Sequence, residues 1–394
     1  MSGTNGDGTA ALQVEEVVRE RYSKGAQVRE AALCCPVEYD PEFLKRLPEE
    51  ILERDYGCGD PSQFVREGDV VLDLGSGGGK ICYIAAQITG PEGKVIGIDM
   101  NDEMLALARK YREELSARFG TPVDFRKGKI QDLALDLDLV AEYLSKNPID
   151  SLDDLARLEE FSEALKRTNP MVPDQSVDLI VSNCVLNLVR EADRKQMFSE
   201  LFRVLKRGGR VAVSDIVSDE EVPSHLKNDP KLWSGCVSGA FTEEGFLRAF
   251  EEAGFYGMEI VKRDERPWQV VEGVEFRSMT ILAFKGKEGR CLERNQAVIY
   301  NGPWKTVTDD DGHTLYRGSR MAVCGKTFRI YTDAGGPYGG EVTPVEPYDA
   351  VSPEDAKEFN CRVNAIRDPR ETKGIDYDRT QKPDPDLCGP EGCC

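Results

Sequence analysis

The sequence predicts an α/β protein built on a mostly parallel, doubly wound sheet, and three observations carry that prediction. Strand-like apolar runs alternate with amphipathic helical stretches from Asp69 onward. A glycine turn, Gly75-Ser76-Gly77-Gly78-Gly79, joins the first run to the first helix. A carboxylate, Asp99, closes the next run about twenty residues later, where a ribose diol is held in nucleotide-binding sheets. Alternation of this kind makes parallel strands joined by crossover helices.

Taken in order, residues 11–33 and 41–56 carry helical spacing and lead into the Gly57-Cys58-Gly59 break. The first strand, DVVLDL, is followed by the helix ICYIAAQIT, the strand KVIGIDM and a helix through MLALARKYREELSARFG. VDFRKGKI, VDLIVSNCVLNL and RVAVSDIV read as further strands, the last two separated by the helix READRKQMFSELFRVLK. An acidic, leucine-bearing stretch at about 133–172 stands where a short connection suffices, and it is read as a helical insertion. After Phe284 the chain turns to short runs rich in glycine, proline and aromatic residues, the pattern of a small β-rich domain. The expected organisation is an N-terminal helical segment (1–60), a core domain (61–285), a C-terminal domain (286–367) and a flexible, cysteine-bearing tail (368–394).

Composition narrows the function. Net charge is −20, with 51 basic against 71 acidic residues and no basic cluster, which argues against nucleic acid as partner. No apolar stretch approaches the ~18 residues a membrane span needs, and the first residues lack a secretory pattern, so a cytoplasmic location is expected. Twelve cysteines in a reducing compartment point to thiol or soft-metal chemistry alongside buried core thiols. His225 and His313 are the only histidines, which disfavours histidine-based catalysis.

The run Asp73-Leu74-Gly75-Ser76-Gly77-Gly78-Gly79 departs from the dinucleotide pattern G-x-G-x-x-G. With Asp99 and the later SNCVLNL strand, it resembles the class I S-adenosylmethionine-dependent methyltransferases, a Rossmann-like fold, over roughly residues 60–285. The resemblance implies that Asp73, Gly75, Ser76, Gly77 and Gly79 surround the methionine and ribose portion of S-adenosylmethionine. It implies too that Asp99 binds the ribose hydroxyls, Met100 packs on adenine, Ile130 and Gln131 sit at the adenine edge and Asn183 lies at the fourth strand's end.

Cysteines supply the acceptor side. Cys58 lies in YGCG, Cys184 in SNCV and Cys236 in WSGCVSG. Singly, each is as readily core filler as ligand. Together the three contexts resemble the arsenite S-adenosylmethionine methyltransferases, as does the Gly-Cys-Cys ending, with a serine in the third motif where glycine is usual. That resemblance implies trivalent arsenic held by Cys58, Cys184 and Cys236, methyl transfer to the arsenic lone pair, and disulfide formation between Cys58 and an N-terminal cysteine, Cys34 or Cys35. Thioredoxin or glutathione is the implied reductant. Soft arsenic suits thiolates and needs no general base. Cys82, Cys291, Cys324 and Cys361 are expected to be structural, and Cys388, Cys393 and Cys394 to hand on the metalloid or serve no role. Competing readings are another soft or organic acceptor (selenium, antimony, a thiol, a quinone-like carbon), a non-catalytic metalloid-binding protein, and a zinc site, for which the cysteine spacing is wrong.

Overall fold

A computed structural model describes residues 16, 18–27, 37, 39–54 and 56–374. It divides into two compact units, Met1–Gly286 and Lys287–Cys394.

Among the described residues of the first unit, nine strands form one sheet. β1 (Val70–Leu74), β2 (Lys94–Asp99), β3 (Val123–Lys127), β4 (Val177–Asn183) and β5 (Leu205–Ser218) are parallel; β7 (Tyr256–Arg263) and β9 (Val274–Phe284) complete the order β3-β2-β1-β4-β5-β9-β7. β9 runs antiparallel to both β5 and β7, while the short β6 (Phe241–Thr242) and β8 (Gln269–Val271) pair with β5 and β9. Strand order reverses between β1 and β4, and ligands bind open α/β sheets at the carboxyl ends flanking such a reversal. In register, Asp73 stands level with Gly97 and Val181, so the glycine turn and Cys184 emerge on the same edge.

Burial explains why these strands read as continuous apolar runs. Leu72, Leu74, Ile96, Ile180, Val211 and Val213 belong to one core cluster, covered by Met197, Phe198 and Leu201 of α6 (Glu191–Val204) and by Phe246 and Phe250 of α7 (Glu243–Glu252). A sheet sandwiched between helices is apolar on both faces. α1 (Lys80–Thr89) follows the glycine turn. The single helix expected at 104–120 is broken at Tyr111 into α2 (Asp102–Lys110) and α3 (Arg112–Phe119), where the Tyr111 hydroxyl donates to Glu50 at 2.5 Å. The insertion holds two helices, α4 (Leu137–Lys146, capped by Asp136) and α5 (Leu152–Thr168, capped by Ser151), with Tyr143 stacked on Phe161 at 4.1 Å. No helix among the described residues is long and apolar enough to cross a membrane.

In the second unit β10 (Ala297–Tyr300) lies between β13 (Arg320–Ala322) and β14 (Val342–Val345), antiparallel to both; β11 (Thr306–Thr308) and β12 (Thr314–Tyr316) form a hairpin, and α8 (Gly325–Thr332) supplies Phe328 and Tyr331 to a separate small core.

Candidate active site

The cofactor side is a cleft at the carboxyl ends of β1, β2 and β4. Asp73, Gly75, Ser76, Gly77, Asp99, Met100, Ile130, Gln131 and Asn183 all line it. Gly79, expected among them, instead begins α1 behind the cleft, where a Cβ would meet the Phe125 ring at 2.8 Å; Gly78 takes its place in the lining. Gly75 has φ +69, and a Cβ there would lie 2.5 Å from the Val185 side chain, so only glycine lets the turn pass this close to β4. Asp99 is aimed by its own loop: Gly77 N–H donates to Oδ2 and Asn101 N–H to Oδ1, both at 2.8 Å. Burial pushes its carboxyl up, while the amides of Asn101, Gly77 and Met100 pull it back.

Whether this cleft fits S-adenosylmethionine is tested by its polar groups. Ser76 Oγ is buried and has no hydrogen-bond partner among the described residues, so a polar donor or acceptor awaits a ligand beside the glycine cradle. Asp99 adds a fixed carboxylate for a diol. The residues fit.

Three sulfurs gather beyond the cleft. Gly57 and Gly59 let the Cys58 loop press against β4 and β5, since a Cβ at either would come within 2.4 Å of Asn183 or Ser214. Asn183 clamps that loop: its Oδ1 accepts from Cys58 N–H (2.8 Å) and Gly59 N–H (3.2 Å), and its Nδ2 donates to the Gly59 carbonyl (2.6 Å). Its amide group thus serves the cysteine loop as well as lining the cofactor cleft. β4 ends at Asn183, and the next residue, Cys184, has φ +59; Cys236 has φ +62. Such backbone in residues other than glycine costs about 1–3 kcal/mol each and persists where the surroundings impose it. Both cysteines are held in place by the fold.

The structure joins Cys58 to Cys184 in a disulfide, with Cα atoms 6.0 Å apart. The sequence had both as thiolates and paired Cys58 with Cys34 or Cys35, which lie outside the described residues, as do Cys388, Cys393 and Cys394. Both arrangements cannot exist at once, so a Cys34 or Cys35 pairing requires the observed bond to exchange. Cys236 lies outside that bond, buried, with its thiol donating to the Cys184 carbonyl at 3.4 Å. A second, smaller recess is lined by Tyr22, Tyr56, Cys184, Cys236 and Trp268. Tyr22, Tyr56 and Cys184 line the cofactor cleft as well, so the sulfur side and the cofactor side share a wall.

Comparison with known proteins decides the family. The chain is 32% identical over 342 residues to an arsenite methyltransferase of Aquipseudomonas alcaligenes, covering 81% of this chain and 88% of that one. The chain belongs to the arsenite methyltransferase family. An arsenite methyltransferase of Mus musculus is 30% identical over 366 residues, covering 90% and 87% of the two chains. A methyltransferase-domain family model matches residues 66–167 and 156–254, and a domain of unknown function matches 287–377. An arsenic(III) S-adenosylmethionine methyltransferase from Chlamydomonas reinhardtii shares the fold, with a TM-score of 0.54, 24% identity, and coverage of 83% of this chain and 100% of that one. The protein is therefore an S-adenosylmethionine-dependent methyltransferase that methylates arsenic.

Two residues of this arsenite methyltransferase escaped the sequence reading. Tyr22 belongs to the helical stretch 18–25; burial, and then contact with Cys236, pushes its hydroxyl well up. Asp215 lies on β5 with its carboxylate within 4.8 Å of the Cys58 and Cys184 sulfurs. It accepts from Leu186 N–H (2.9 Å), Ile216 N–H (2.8 Å) and Asn187 Nδ2 (2.8 Å). Burial outweighs these donors and pushes the carboxyl up to about 7.

A raised folded-state value means that the native chain binds more protons than the unfolded chain between the two values. Stability then falls as pH rises from about 4 to about 7, by as much as ~4 kcal/mol, and is level above that window. Urea unfolding followed across this range is expected to show that slope in the native protein and to lose it in Asp215→Asn. An equal slope in both would assign the effect to other groups.

Proposed function

We propose that the enzyme holds trivalent arsenic on the thiolates of Cys58, Cys184 and Cys236 and adds one methyl group, then a second, with the Cys58–Cys184 disulfide as the oxidised state that each transfer leaves behind. The observation that carries this reading is the convergence of the three cysteines in one packed cluster, with Cys184 on the wall of the cofactor cleft and both Cys184 and Cys236 on strained backbone. Bound S-adenosylmethionine supplies a methyl group activated by its sulfonium. The chain's own part is positional: Asp99, Ser76 and the glycine turn fix the donor, and the three sulfurs fix the arsenic with its lone pair facing that donor.

No general base is required, and the histidines agree with that. His225 is exposed and 2.7 Å from Glu272, His313 is paired with Asp309 in the other unit, and neither lines the cleft or the recess. Methyl transfer leaves arsenic formally pentavalent. Two electrons return it to the trivalent state when two thiolates join as a disulfide, and an external dithiol or two glutathione molecules then reopen that bond. Cys34 or Cys35 would relay the exchange, and thioredoxin or glutathione in a cytoplasmic setting would be the source of reducing equivalents.

The test separates the two redox states. Protein with the Cys58–Cys184 bond closed, mixed with arsenite and S-adenosylmethionine without added thiol, is expected to give no methylated arsenic, and reduced thioredoxin or glutathione to restore it. Equal turnover by the closed and the reduced protein would contradict the role of these two sulfurs.

A further inference from the structure

We propose that the C-terminal unit carries a second arsenic site, in which Cys291, Cys324 and Cys361 bind one trivalent arsenic through three sulfurs. Their Sγ atoms all lie within 4.8 Å of one another, and all three cysteines are free. The sequence had them as structural.

Three separate segments bring these sulfurs together, and backbone hydrogen bonds lock the segments in register. Phe359 N–H donates to the Cys291 carbonyl and Gly325 N–H to the Leu292 carbonyl, each at 2.9 Å, and Leu292 bridges Glu358. Ala322 N–H donates to the Ala365 carbonyl at 2.9 Å, and Met321 bridges Ile366. Each cysteine sits within a few residues of such a tie, so the cluster is built by the fold rather than by neighbouring positions in sequence.

Cys324 is the anchor. It caps the N-terminus of α8, its Sγ accepting from Thr327 N–H at 3.4 Å with Thr327 Oγ1 at 3.2 Å, and a helix start favours negative charge. It is fully buried, whereas Cys291 and Cys361 are half-exposed. One fixed sulfur at the back and two at the surface allow an ion to enter from solvent.

Donor number decides among soft ions. Structural zinc closes its shell with four protein ligands at about 2.3 Å for sulfur. No fourth histidine, cysteine or carboxylate joins this group among the described residues. Trivalent arsenic takes three sulfurs and keeps a lone pair on the fourth side. The binding step balances without redox: three As–O bonds of arsenous acid break, three As–S bonds form, and each thiol proton leaves with a hydroxyl as water. Choosing arsenic over other three-coordinate soft ions rests on arsenite being this enzyme's substrate.

The experiment uses the reduced, full-length protein with arsenite alone, and with zinc alone, counting metal per chain after gel filtration. Cys291→Ser and Cys361→Ser are the variants, because they leave the buried Cys324 in place. Each is expected to bind one arsenic fewer than the native chain, with single-turnover methylation unchanged. An unchanged arsenic count would overturn the site. So would zinc retained by the native chain and lost in both variants while arsenic binding stays the same. Loss of one arsenic in Cys236→Ser but not in Cys291→Ser would overturn this site and leave the methyl-transfer centre standing; the reverse would do the opposite.

Discussion

Cys236→Ser is expected to lower single-turnover methylation of arsenite by about 10³-fold, some 4 kcal/mol of transition-state stabilisation, while the Kd for S-adenosylmethionine stays nearly unchanged. Cys236 lies outside the disulfide, so the substitution leaves that bond and the fold of its neighbours intact. It removes one of the three sulfurs of the cluster and replaces it with a hydroxyl that is a poor ligand for a soft ion. Arsenic held at only two points is free to turn its lone pair away from the methyl group, and small misplacements cost orders of magnitude in such reactions. Cofactor affinity is spared because Cys236 does not line the cofactor cleft. Rapid-quench assays with labelled cofactor, read beside equilibrium dialysis, check both halves. A variant that methylates arsenite at the native rate would remove Cys236 from the acceptor site.

Asp99→Ala is expected to do the reverse, raising the Kd for S-adenosylmethionine by about 10²-fold, near 3 kcal/mol, through the loss of two hydrogen bonds to a charged acceptor. The carboxylate is held by Gly77 and Asn101 N–H groups at 2.8 Å, so its direction is set before any ligand arrives. Removing it also leaves the Gly77 amide unpartnered in the turn that cradles the cofactor. Calorimetric titration of the reduced protein with S-adenosylmethionine measures the shift. An unchanged Kd would show that the ribose is held elsewhere.

The fold's centre was legible because local chemistry and tertiary role coincide there. Strands buried on both faces are apolar throughout, and a turn that must pass 2.5 Å from Val185 must be glycine. The edge strand β7 and its neighbour β9 were not read; β7 mixes charged and apolar residues and pairs antiparallel at the margin. Cys184 was read as the end of a strand, but the backbone leaves the strand one residue earlier, with a positive φ that no sequence pattern announces. Asp215 hid inside the apolar run RVAVSDIV; a lone carboxylate there was the available signal, because burying one requires donors such as those from Leu186 and Asn187. Disulfide partners depend on tertiary proximity, which is why Cys58 and Cys184, 126 residues apart, could be singled out separately but not paired with each other. The same holds for Cys291, Cys324 and Cys361, whose sequence contexts are unremarkable and whose significance lies in their convergence.

The most direct test of the three-thiolate account is a single turnover of methyl transfer from labelled S-adenosylmethionine to glutathione-complexed arsenite, with the arsenic products separated, comparing the reduced native enzyme with Cys184→Ser. The account predicts methylated arsenic from the native enzyme and none from the variant, although both bind the cofactor. Methylated arsenic from both in equal amount would contradict it.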